Sequence, residues 1–143
     1  AHIAAAMLEK GYVTSVKDAF KRYLSPKHGY YTPPTWTNVF EMIRFIKSLG
    51  AVAVLAHPLL NLEELQLPEA VQAGLDGMEV FYPLFDEQQT GILLEMAQEC
   101  SLLPSGGSDF HGANKPHIQI GSGQGNLKVP DHCRIALKSR VFI

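Results

Sequence analysis

The chain has no CxxC pair, no Cys/His finger spacing and no apolar run approaching bilayer length. A zinc finger and a transmembrane helix are therefore both excluded as organising features. The two cysteines, Cys100 and Cys133, fit free thiols better than a disulfide, which favours a cytoplasmic setting. The opening AHIAAAMLEK lacks a basic segment followed by a long apolar one, so a soluble, non-secreted protein is expected. No sign of charge dominates. Twelve Lys and Arg stand against 14 Asp and Glu, and the basic residues are scattered rather than aligned. Nucleic-acid affinity driven mainly by charge has no support, although a nucleotide held through a local metal ion remains compatible. There is no G-x-x-x-x-G-K-[ST], and GSGQG at Gly121 to Gly125 follows no clear strand into a helix.

What is present is apolar sequence arranged in periods. Of 143 residues, 46% are hydrophobic and 18% charged, enough to build a core and to rule out disorder. A composition this apolar also suits a piece whose remaining part covers its surface. Residues His2 to Lys10 read as a helix ending at Gly11. A second helix follows Ser15, with Asp18 three residues on as a loose capping pattern and Val16, Ala19, Phe20, Tyr23 and Leu24 on its apolar side. The Pro-, Gly- and Tyr-rich stretch from Ser25 to Thr35 is a loop and the best internal boundary. It separates residues 1–35 from residues 36–143.

Beyond that boundary helices and strands alternate. Thr37 can cap a helix carrying Phe40, Ile43, Ile46 and Lys47 up to Gly50. Ala51 to Ala56 is a continuous apolar run, the pattern of a strand buried on both faces. A helix over Leu62 to Ala73, a strand over Gly77 to Tyr82 and a helix over Glu87 to Cys100 follow, the last with Ile92, Leu93, Met96 and Ala97 inward. Leu102 and Leu103 then lead into PSGGSDFHG. This order predicts a parallel α/β fold. The tail CRIALKSRVFI suits either a helix or a strand.

The chemistry gathers where strands end. His57 directly follows the first strand, and Asp109 and His111 follow the third, at the carboxyl ends where parallel folds bind ligands. In an extended segment, residues two apart point the same way, which would pair Asp109 with His111. Imidazole and carboxylate together suit Zn, Mn or Fe. Asp109, His111 and His57 are the candidate metal ligands and catalytic residues. Lys115 and His117, in the loop that begins at this site, are candidates for contact with a substrate phosphate. Ser108 lies outside a G-x-S-x-G elbow and suits a supporting hydrogen bond better than a nucleophile. Glu79 either points toward the site or pairs with a base in the core. Asp76 and Asp86 read as turn residues, and His2, His28 and His132 as packing or solvated histidines.

AVLAHP at Ala53 to Pro58, GMEVFYP at Gly77 to Pro83 and GGSDFHG at Gly106 to Gly112 resemble the PHP (polymerase and histidinol phosphatase) family, in its bacterial metal-dependent phosphoesterase branch. The opening HIAAAMLEKGYVTSVKDAFKRYL and the YYTP after it are similar to that branch's helical insert. The resemblance implies the carboxyl-terminal part of a distorted (β/α)7 barrel, in which residues 1–35 are the insert and return loop and residues 36–143 belong to the barrel. It implies divalent ions, Mn, Zn or Fe, at the strand ends, held in part by His57, Asp109 and His111. It also implies hydrolysis of phosphate esters, of a nucleotide or short oligonucleotide, by the complete domain. The family's first ligands come from an amino-terminal HxH motif, which this sequence lacks, so the chain is expected to supply a partial site. Leu84 and Phe85 replace the more polar loop usual after the second strand. The partners implied are a phosphorylated small molecule or nucleotide, and either an amino-terminal half or a second copy. The alternative from another class is a non-catalytic structural or metal-binding α/β module.

Overall fold

Ser15 is extended, with φ −161° and ψ 163°, and its Oγ accepts the Asp18 N–H at 3.0 Å. A short side-chain oxygen here satisfies a backbone donor that the first helical turn leaves unpaired. The computed structural model describes residues 2–30, 32, 37–60 and 66–141, and in it this cap starts α2 (Val16–Arg22) after α1 (His2–Glu9). The two helices close over Ala4, Val13 and Ala19, flanked by Met7, Tyr23 and Leu24. Val16 and Phe20, expected on the apolar side, are instead 39% and 43% exposed. The contact is made by small side chains, which leave no depth for a second apolar row. The expected loop after Ser25 is turn-rich as far as Tyr30, and residues 31 and 33–36 lie outside the described residues. By its internal packing the chain divides into residues 1–36 and 37–143.

In the second unit α3 (Val39–Ser48) is capped by Asn38 rather than Thr37, because the Asn38 Oδ1 takes the Phe40 N–H at 2.9 Å. The apolar run after it forms a shorter strand than expected, β1 (Val54–Leu55). Asp76 explains the difference. Its Oδ2 accepts the Ala53 N–H at 2.9 Å, so a side chain rather than a strand satisfies that donor. Both Asp76 oxygens also accept from Lys47 Nζ at 2.7 Å. Asp76 is therefore a buried tie between α3 and the sheet, not the turn residue expected.

α4 (Leu67–Gln72) has Pro68 in its first turn, where no N–H is missed. The part of this helix expected over residues 62–65 lies outside the described residues. β2 (Gly77–Phe81) comes next. It leads to α5 (Glu87–Glu99), opened by a capping box in which Asp86 Oδ1 takes the Gln89 N–H at 2.8 Å and Gln89 Oε1 the Asp86 N–H at 3.0 Å. β3 (Leu103–Gly106) and α6 (Asp131–Lys138) follow, so the tail is helical as far as Lys138.

The three strands are parallel in the order β1–β2–β3, with Val54 beside Gly77 and Gly77 beside Leu103. Ala53, Met78 and Val80 face Ile43, Leu67, Ala70, Leu93 and Ala97 from the helices, forming the core. Ile92, expected inward, is 45% exposed, because Leu93 and Ala97 take the buried side of α5. The first strand is not buried on both faces either: Val54 is 37% exposed. Its side looks into an open cavity of about 610 Å3, bounded by Ser105, Leu127 and the α6 residues Cys133 and Leu137. Among the described residues no helix is long and apolar enough to cross a membrane.

At the end of β3 two strands approach closely. A Cβ on Gly106 would lie 2.6 Å from both the Cβ and the carbonyl oxygen of Phe81, at the register shift between Glu79 and Phe81. Gly106→Ala is therefore expected to cost about 1–3 kcal/mol through overpacking. The check is a lower urea midpoint at unchanged m-value; an unaltered midpoint would show that the strands relax freely there.

Candidate functional site

All three parallel strands deliver polar side chains at their carboxyl ends. His57 follows β1, Glu79 and Tyr82 come from the end of β2, and Asp109 follows β3. The Glu79 Oε2 accepts the His57 backbone N–H at 2.7 Å, tying the first strand's exit to the second strand. The His57 and Tyr82 rings lie 5.7 Å apart, and Phe85 packs on the other side of Tyr82 at 4.9 Å. Tyr82 OH donates to Asp109 Oδ2 at 2.9 Å. Lys115 Nζ donates to the same oxygen.

The pairing of Asp109 with His111 arises differently from the extended alternation expected. Asp109 sits in the left-handed region at φ 53°, and His57 at φ 32° does the same at the first strand's end. Such positions cost a non-glycine residue energy and concentrate at functional sites. The turn at Asp109 brings His111 back, so that its Nδ1 lies 2.7 Å from the Asp109 carbonyl oxygen and 3.4 Å from Oδ1. A carbonyl only accepts, so Nδ1 carries the proton. In the neutral ring the lone pair is then on Nε2, the arrangement a metal-binding histidine needs.

The electrostatics divide the two carboxylates. Lys115, with Tyr82 assisting, holds the Asp109 carboxyl below its ordinary range. Glu79 is raised above its range, first by burial and then by the Asp109 charge, against the opposing His57 N–H bond. Burial, followed by the bond to Asp109, pushes the Tyr82 phenol up to about 12. Two acids of one cluster shifted in opposite directions are a common mark of a site built for chemistry. Glu79 supplies a test. Because its folded-state pKa is raised, ionised Glu79 weighs against the fold at neutral pH, and the penalty disappears below the unfolded carboxylate range. Glu79→Gln, which keeps an acceptor for His57, is expected to raise the urea midpoint at pH 7 and to match the parent in acid. A variant less stable than the parent at pH 7 would reverse that reading.

A small cavity of about 90 Å3 lies next to Asp109, lined by Tyr82, Ser108, Lys115, His117 and Gln124. The structure thus places Asp109, His111, Lys115 and His117 around one loop and sets His57 across the Tyr82 ring from Asp109. Ser108 Oγ accepts the Gly121 N–H at 3.2 Å, a supporting bond within that loop. In the first unit, His28 Nε2 lies 2.8 Å from the Lys21 carbonyl oxygen.

The chain is similar to known proteins over much of its length. The chain is 34% identical over 125 residues to the 5'-3' exoribonuclease Rnm of Escherichia coli (strain K12), a match covering 84% of this chain and 42% of that protein. It is 31% identical over 121 residues to a phosphoribosyl 1,2-cyclic phosphate 1,2-diphosphodiesterase of Eggerthella lenta, covering 82% of this chain and 46% of the relative. A crystal structure from Bifidobacterium adolescentis, designated a metal-dependent phosphoesterase, superimposes with TM-score 0.78 at 33% identity, over 99% of this chain and 50% of the other. These matches support the resemblance to the PHP family. No family model matches the chain, and it spans about half the length of the curated relatives it matches.

The donor set of this chain suits a divalent ion in kind: two imidazoles and two carboxylates at one end of the sheet, with the His111 Nε2 carrying its ring's lone pair. It is incomplete in number. Among the described residues no three His, Cys, Asp or Glu side chains converge as a cage. Tyr82 is the site residue that sequence reasoning passed over, since its alternation with Met78 and Val80 places it with the core, where it is 6% exposed. The available signal was its position at the strand's carboxyl end, immediately before Pro83.

Proposed function

We propose that this chain supplies part of the active site of a metal-dependent phosphoesterase that hydrolyses a phosphate ester of a nucleotide or short oligonucleotide. The observation that carries the reading is the gathering of His57, Glu79, Tyr82, Asp109 and Lys115 at the carboxyl ends of three parallel strands. The relatives' names support the ester class, since one is an exoribonuclease and another a cyclic-phosphate diesterase. His57, Asp109 and His111 would hold Mn, Zn or Fe, with further ligands from outside the described residues. When bound, such an ion polarises the phosphoryl group and lowers the pKa of a water molecule.

The chain's own residues have definable parts in this. Asp109 stays anionic at neutral pH and presents charge to the ion. Tyr82 fixes that carboxylate's orientation. Lys115 and His117, beside the small cavity, would meet the phosphate of the substrate. The fold completing this site is a distorted (β/α)7 barrel, with residues 1–35 as a helical insert and residues 36–143 as its carboxyl-terminal part. The open face beside Val54 suits such completion by an amino-terminal half or a second copy. The free thiols Cys100 and Cys133 suit the cytoplasm.

The test is metal content after purification without chelator, together with Mn-supported hydrolysis of bis(p-nitrophenyl) phosphate and a short RNA. Bound metal with turnover, both diminished in His57→Ala, supports the proposal. Stoichiometric metal without turnover favours the metal-binding module instead.

A further inference from the structure

We infer that the first unit carries a docking surface for single-stranded nucleic acid, in which the exposed Tyr30 ring takes a base and Lys21, Arg22 and Lys27 take phosphates. The inference concerns a surface other than the strand-end site and does not involve a metal ion. Over the whole chain the charges nearly cancel, yet they are divided unequally between the two units. Residues 1–36 hold five basic residues, Lys10, Lys17, Lys21, Arg22 and Lys27, against Glu9 and Asp18, a formal charge of +3. Residues 37–143 hold seven basic residues against 12 acids, a formal charge of −5. All five cations of the first unit are exposed. One of its two acids, Asp18, is already engaged by Arg22 at 3.3 Å and by the Thr14 N–H at 3.2 Å. A chain of net charge −2 does not attract a polyanion as a whole, so any such attraction has to come from this unit.

Charge alone would attract any anion, but the aromatic order beside it selects a strand with free bases. The Arg22 guanidinium lies 5.0 Å from the centre of the Tyr23 ring and donates to the Tyr23 hydroxyl at 2.9 Å. Tyr23 in turn meets Tyr30, with ring centres 6.2 Å apart and planes inclined by 51°. Such a tilted pair is attractive, so Tyr23 holds the outer ring in place. The loop is also tied back to α2 from its own side. His28 Nε2 donates to the Lys21 carbonyl at 2.8 Å, and the His28 N–H donates to the Ser25 carbonyl at 2.9 Å. The ring held in this way is 80% exposed, so burial does not account for its position. Lys21 belongs to the same helix end and Lys27 to the same loop. Aromatic rings fixed among cations are how single strands are bound without regard to sequence: bases stack and phosphates pair. A duplex has its bases already stacked and offers none to the ring.

Fluorescence anisotropy of a labelled oligouridylate, titrated with the full chain in EDTA at low salt, tests the surface without hydrolysis. Saturable binding is expected, about tenfold weaker in Tyr30→Ala and unchanged in Tyr30→Phe, which keeps the ring. Tyr30 is so exposed that neither change burdens the fold. Each phosphate contact to a single strand adds about 0.7 to the slope of log K against log salt, so Lys21→Gln with Lys27→Gln should flatten it by about 1.4. Lys128→Gln, in the second unit, should change neither quantity. Full affinity in Tyr30→Ala, a duplex bound as tightly as the single strand, or no binding by the parent would each overturn the inference. Sedimentation with phosphatidylserine vesicles in place of RNA binding would do the same and assign the surface to a membrane. Because binding is read in EDTA, a failed hydrolysis assay leaves this inference standing, and failed binding leaves the active-site reading standing.

Discussion

On the proposed phosphoesterase function, Asp109→Asn is expected to lower metal-supported hydrolysis on the order of 10^3-fold, about 4 kcal/mol of transition-state stabilisation, while costing the fold about 1 kcal/mol or less. The amide has nearly the carboxylate's shape and can still accept the Tyr82 hydroxyl. What it lacks is charge. Lys115 and Tyr82 hold the Asp109 carboxyl below its ordinary range, whereas burial raises Glu79, so Asp109 is the more readily ionised of the two. The cost to the fold is small because the Lys115 partner is 39% exposed and water replaces much of the lost attraction. The sign of the pH effect follows from the lowered folded-state pKa. Ionised Asp109 contributes stability at neutral pH, and that contribution fades as pH falls through the lowered value. The Asn variant should therefore lose less stability on acidification than the parent. Initial rates with Mn2+ and urea curves at two pH values check both parts. A variant retaining more than about a tenth of the parent rate would remove Asp109 from the machinery.

The second large effect concerns the fold. Asp76→Ala is expected to destabilise the chain by about 2–4 kcal/mol. The Asp76 side chain is only 7% exposed, and its two oxygens satisfy the Lys47 ammonium and the Ala53 N–H. Removing it leaves a backbone donor without that acceptor at the start of β1 and an ammonium without its counter-charge. Lys47 is 32% exposed, so its head can recover some hydration, which keeps the loss below that of a fully enclosed pair. Reversible urea unfolding gives the number directly. A loss under about 1 kcal/mol would mean that water reaches Ala53 and that the tie between α3 and the sheet is incidental.

These two aspartates mark the boundary between what could be read and what could not. The helices α3 and α5, the strand β2 and the parallel order follow from local information: periods of apolar residues, glycines after helices and capping residues before them. The strand-exit position of His57, Asp109 and His111 was legible because a parallel fold brings its strand exits to one end, so position along the chain implies position in space. Other features depend on partners distant in sequence. Asp76 read as a turn residue because nothing near it in the sequence indicates that Lys47 and Ala53 will close upon it. The first strand shortened for the same reason, since a carboxylate from beyond the next helix took its backbone donor. Tyr82 looked like core, and it is core, but its hydroxyl reaches a carboxylate 27 residues away. The tail's ambiguity between helix and strand was settled by α6 packing against β3. The sequence by itself determined most element types and the parallel α/β class and named candidate ligands at strand exits, because these are set by short-range periodicity and chain order. Only the tertiary structure decided which cation holds Asp109, which His111 nitrogen keeps its lone pair and which acid's pKa is lowered and which raised, because those depend on distances between groups that the chain brings together only on folding.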